Sequence, residues 1–173
     1  MIEILDILKY TLPALIVLIA TVLIIKQIMK NDQNRRNYEL VSKNQEIITP
    51  VRLQAYERLT LLLERISPES LIMRVNKPNM TAQLLQSELL STLRSEFDHN
   101  VSQQIYVTPQ IWEFIKNSRA KITQLINGAA GRVNPEESAI VLSKLILEDL
   151  MTLDKSPTSI ALEALKNEIR ILF

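Results

Sequence analysis

The chain divides by its hydrophobic pattern into two unlike parts. Tyr10 to Ile25 (YTLPALIVLIATVLII) is an uncharged run set between Lys9 and Lys26, whereas from residue 51 on most segments alternate apolar and polar positions at helical spacing. In the run no helical face is polar, and the hydroxyls of Thr11 and Thr21 can bond within their own helix. Sixteen helical residues rise roughly 24 Å against a hydrocarbon core of ~30 Å. The shortfall closes if Lys9 and Lys26 snorkel toward headgroups and Ile7, Leu8, Ile28 and Met29 extend the apolar length. The pattern therefore predicts one transmembrane helix within residues 1–30. A cleaved signal peptide fits less well, because Glu3 and Asp6 stand where positive charge belongs and no small-x-small site follows. A buried core helix is opposed by the lack of any polar face.

Residues 31–48 hold no Gly or Pro and read as a polar helical stalk continuing the span. From 49 to 173 the stripes predict a bundle of about five helices. Val51, Ala55, Leu59, Leu62, Leu63 and Ile66 form the first stripe, after Thr49-Pro50. Ser67-Pro68 opens a short helical turn, and Asn76 to Asn79 is a loop. Leu85, Leu89, Leu93 and Phe97 lie on a helix capped by Thr81. Gln104 to Val107 reads as an extended connector. Ile111, Ile115, Ile122 and Ile126 belong to a helix opened by Thr108-Pro109, with Gly128 to Gly131 at its end. Asn134-Pro135-Glu136-Glu137 is expected to start the next, whose broad apolar arc from Ile140 to Met151 marks it as central. Ser156-Pro157 opens the last.

Composition reinforces an all-α class. Two glycines in 173 residues leave little chain for the tight turns of sheets or phosphate loops. Five of the seven prolines follow a Thr, Ser or Asn, and such pairs suit helix starts because the side-chain oxygen caps an orphan N–H while proline at the next position lacks none it needs. With no cysteine, disulfides, thiol nucleophiles and cysteine-bound clusters are excluded.

Charge then orients the anchor. Lys9 is accompanied by Glu3 and Asp6 before the run, while Lys26, Lys30, Arg35, Arg36 and Lys43 follow it. The positive-inside bias places the C-terminal part in the cytoplasm and the short N-terminus outside. Lys9, Lys26, Lys30, Arg35 and Arg36 are the candidate contacts to lipid headgroups of the bilayer. Residues 31–173 carry seventeen basic and seventeen acidic residues, and no basic stripe is interleaved with aromatics, so nucleic acid is not an expected partner.

The phrases ITPVRLQAYERL (48–59), RISP (65–68), SEFDHNVSQQ (95–104) and KSPT (155–158), together with the single N-terminal span, resemble an uncharacterised family of small membrane-anchored helical proteins from Bacteroidota bacteria. The resemblance covers essentially the whole chain. It implies a bacterial inner-membrane location with a cytoplasmic domain, and it lends no catalytic residue or cofactor.

Candidate chemistry is sparse. Glu96, Asp98 and His99 form the one cluster suited to a metal or to acid–base work, and Glu96 and His99 share a helical face at i, i+3. Di-iron bundles need a second such pair, and this chain has one histidine, so the competing reading is that His99 serves the helix C-terminus. Arg52, Tyr56, Arg58 and Arg65 form either a partner surface or a solvated face. Trp112 marks either an exposed anchor or core packing. No phosphate-binding glycine loop or nucleophile turn occurs. The expectation is a non-enzymatic, membrane-anchored interaction protein, without metal or cofactor, that recruits a protein partner or a second copy of itself. Its alternatives are an accessory subunit of a membrane complex for energy coupling or export, and a metal enzyme using Glu96 and His99.

Overall fold

A computed structural model describes the backbone of residues 2–172 and the side chains of all of these except residues 2–14, 37, 41 and 172. It is all-helical in those residues. The order is α1 (Ile2–Arg65), α2 (Pro68–Val75), α3 (Ala82–Asn100), a 3-10 turn (Val101–Ile105), α4 (Pro109–Ala130), α5 (Ala139–Met151) and α6 (Pro157–Leu172). The residues group into two compact units, Met1–Pro50 and Val51–Phe173, and α1 supplies chain to both.

In the first unit every side chain described from Leu15 to Thr49 is at least partly open to solvent, and all but Thr49 are exposed. Leu15 to Ile19 and Val22 to Ile25 show large apolar surfaces all around the helix. Among the described residues no helix is long and apolar enough to cross a membrane. The expected span begins at Tyr10, and residues 10–14 lie outside the described side chains, as does Lys9.

The expected helix start at Thr49-Pro50 is corrected, since Pro50 lies inside α1. An interior proline removes one i to i−4 hydrogen bond. The carbonyl so deprived belongs to Glu46, an exposed residue, where water can serve it.

In the second unit the stripes pack as their spacing demands. Leu59, Leu62, Leu63 and Ile66 of α1 are buried with Leu71 of α2, Leu85, Leu89 and Leu93 of α3, Ile115, Ile122 and Ile126 of α4, and Leu142 and Ile146 of α5. Helix α4 touches α3, α5 and α6, and its buried residues run from Ile111 to Ala129. Helix α5 in turn touches α2, α3 and α4, so α4 and α5 share the centre of the bundle. The buried arc of α5 is narrower than its sequence suggests, because Ile140 (70%) and Met151 (84%) face solvent.

Local chemistry explains most boundaries. Side-chain oxygens of Ser67, Thr81 and Thr108 accept the backbone N–H of Ser70, Leu84 and Ile111 at 3.3, 3.3 and 3.4 Å, satisfying one orphan donor per helix. Asn134-Pro135 behaves differently from expectation. The Asn134 side chain accepts from Glu136 N–H at 3.1 Å in a turn, and α5 begins only at Ala139. Tertiary pairing wins here: the N–H groups of Ala82 and Gln83 donate to the carbonyls of Glu137 (2.8 Å) and Pro135 (3.0 Å), and Ala139 N–H donates to Met80 (3.0 Å). The loop before α5 thus completes the start of α3. Likewise Gln104 and Ile105 close a 3-10 turn instead of an extended connector. Gly131 caps α4 in an ordinary right-handed conformation (φ −65°), so the cap does not use glycine's freedom; Asn79 alone among the described residues takes a positive φ, 64°.

Candidate functional site

The proposed lipid-contacting residues split. Lys26 and Lys30 are exposed on α1. Arg35 binds Glu39 at 3.0 Å and Arg36 binds Asp32 at 2.9 Å, both four residues apart on exposed helix. Such pairs contribute roughly 0.3–0.5 kcal/mol each.

The candidate partner surface is broken up by burial. Tyr56 is 1% exposed and Trp112 is 9% exposed, so both belong to the core; Arg52 is half-buried, and only Arg58 and Arg65 present open side chains. On α1, Tyr56 sits one residue from Ala55 and three from Leu59, which rotates it onto the edge of the buried stripe. Trp112 is turned inward beside Ile111, and its ring lies 5.4 Å from that of Phe97 at an interplanar angle of 35°. Arg119 covers the other side of this pair, its guanidinium carbon 4.3 Å from the Phe97 centroid. That is cation–π distance.

Around Tyr56 the fold assembles a polar cluster from three helices. Its hydroxyl donates to Glu168 Oε1 of α6 at 2.5 Å. The same carboxylate accepts the Thr108 N–H at 3.3 Å and the Thr108 hydroxyl, at the N-cap of α4. Arg52 approaches from one turn earlier on α1, giving Nη2 to the Tyr56 oxygen at 3.4 Å and Nε to the Tyr106 carbonyl at 3.2 Å. A carboxylate at a helix start meets the positive end of the dipole. Burial and the facing Glu168 carboxylate push the Tyr56 hydroxyl up to about 12, with Arg52 opposing. Tyr56 is consequently held as a neutral donor. It offers no phenolate and no proton exchange near neutral pH; the cluster fastens α6 and the α4 start to α1.

Glu168 escapes a reading by residue type, yet a signal existed. Ala161, Leu165 and Glu168 follow i, i+4, i+7 spacing, so an acid stands on the apolar stripe of α6. An acid in that place needs partners.

A second cluster surrounds Glu96. Arg65 reaches its Oε1 at 2.9 Å and Arg74 reaches the same oxygen at 3.1 Å, while Arg74 also donates to the Arg65 carbonyl at 2.9 Å. This joins the ends of α1 and α2 to α3. It also occupies the carboxylate of the Glu96 and His99 pair: Glu96 is turned to two guanidinium groups, and His99 lies exposed in the last turn of α3. Among the described residues no group of three or more His, Cys, Asp or Glu side chains is placed to hold a metal ion. Elsewhere, hydrogen bonding to Lys155 lowers the Glu163 carboxyl below the usual carboxylate range.

A family model described as a family of unknown function (DUF7935) matches residues 2–172. No curated protein and no solved structure matches the chain.

Proposed function

The chain belongs to this family of unknown function, and from that premise we propose, on the residues alone, a membrane-anchored interaction protein. Its N-terminal helix would sit in the bacterial inner membrane with residues 49–173 held at the cytoplasmic face. The observation that carries the reading is the apolar surface of α1: Leu15 to Ile19 and Val22 to Ile25 are all exposed, with no polar face among them. In water such a surface is a standing cost of about 25 cal/mol for each Å² of apolar area. A lipid environment removes it, and the sequence extends the same run back to Tyr10.

The polar clusters support the second half of the reading. Tyr56, Glu168, Glu96 and their arginines hold helices together, and the arrangement resembles a scaffold more than a reaction site. Arg58 and the exposed side of Arg65 are what remains of the expected partner surface.

The test is fractionation of cells expressing the full chain, with carbonate extraction of the membranes, beside a variant carrying Leu18→Lys and Leu23→Lys. The native chain should remain in the extracted membrane pellet and the variant should leave it. Recovery of both in the soluble fraction, with the native chain folded, would sink the anchor.

A further inference from the structure

We propose that a groove at one end of the bundle binds the alkyl chain of a fatty carboxylate, with Lys121 holding the carboxylate. The groove measures about 430 Å³ and lies between the C-terminal half of α4, the turn after α5 and the start of α6. Leu125, Leu153, Pro157 and Ile160 supply an apolar wall. Its volume falls in the range of small-ligand sites, roughly 300–1,000 Å³. That size suits a small amphiphile.

Charge selects the head. Two of the charged groups on the lining are already matched: Asp149 pairs with Arg132, and Lys155 pairs with Glu163 at 2.7 Å. None of the ion pairs among the described side chains involves Lys121. The lining therefore presents one unbalanced positive charge beside an apolar wall, the complement of a single-tailed anion.

Gly128 is an independent observation. It stands within the last turn of α4, where glycine weakens a helix relative to alanine. Its backbone is not in a left-handed conformation, and a Cβ built there would meet no atom of the protein within 4 Å. The chain's own packing gives no reason for a glycine, whereas the absent side chain keeps the groove open to an occupant.

The experiment uses the full chain in phospholipid nanodiscs with a photoreactive, alkyne-tagged fatty acid, and maps the adducts by peptide mass spectrometry. Adducts are expected on residues 121–128 and 153–160, and excess decanoate should displace them. Gly128→Leu should cut groove labelling at least fivefold, and Lys121→Glu should do so to a similar degree, with the circular dichroism and melting of both variants unchanged. Labelling of residues 10–25 gives an internal control in every sample. The proposal fails if label is confined to that segment, or if Gly128→Leu is labelled like the native chain. It fails equally if the matching alkyl alcohol probe labels the groove as well as the acid, since Lys121 would then select nothing. Loss of a co-purifying protein on Gly128→Leu, without any groove adduct, would reassign the groove to a docking peptide.

Discussion

Tyr56 on α1 and Glu168 on α6, far apart in the chain, share a hydrogen bond of 2.5 Å at the point where the N-cap of α4 also meets them. The phenol is shut away from solvent, and the carboxylate accepts from Tyr56 and twice from Thr108. Removing one member strands the others, so the two sides of the bond are not equivalent. Tyr56→Phe leaves Glu168 still bound by Thr108, and the expected loss is about 1 kcal/mol. Glu168→Leu leaves a buried hydroxyl without its acceptor, and should cost about 1–3 kcal/mol. Chemical denaturation of both variants and the double variant checks this; additive losses would show that the bond is not coupled.

Burial of the Tyr56 hydroxyl, together with that bond, gives stability a pH dependence with a definite sign. The folded-state hydroxyl titrates at about 12, above its ordinary value of 10.0, so the native state keeps a proton that the unfolded chain releases first. Its contribution is complete below pH 10 and is lost as pH rises from 10 toward 12. The gap in unfolding free energy between the native chain and Tyr56→Phe should narrow between pH 9 and 11.5. A constant gap would refute the assignment.

Helix α4 packs against α3, α5 and α6, and core truncation there should be severe. Ile115 is fully buried, and Ile115→Ala is expected to cost about 2–5 kcal/mol through lost transfer energy and a cavity. Ile140→Ala, on the exposed side of α5, should stay within about 0.5 kcal/mol. Equal effects at the two positions would contradict the exposure of Ile140.

At Glu96 the prediction separates an ion-pair role from a metal role. Glu96→Gln removes the shared acceptor of Arg65 and Arg74 and should lower stability by roughly 1 kcal/mol, in the range of partly exposed pairs. His99→Ala should fall within about 0.5 kcal/mol. Elemental analysis of the purified native chain would sink this reading if it found stoichiometric metal that His99→Ala removes.

The helices were legible because burial follows period. Leu59, Leu62, Leu63, Ile66, Leu85, Leu89 and Leu93 are buried where their spacing places them. Failures came where a distant group outbid a local rule. Asn134-Pro135 has the chemistry of a helix start, but its carbonyls are taken by the N–H groups of α3. Thr49-Pro50 has it too, yet an exposed helix accommodates the proline. Tyr56 and Trp112 are polar-tipped aromatics whose type suits an interface or a core alike, and only partners on other helices decide between the two. For Tyr56 the partner was Glu168, which the chain signals weakly, as one acid on an apolar stripe.

The backbone pairing of Ala82 and Gln83 with Glu137 and Pro135 also imposes an order in time. The first turn of α3 can be finished only by a loop that leaves the ribosome after α4 has been made. Until then its N–H groups face water, and the nascent helix frays from that end. In pulse-labelled hydrogen exchange during refolding, the amides of Ala82 and Gln83 should gain protection together with that of Ala139, later than those at the middle of α3.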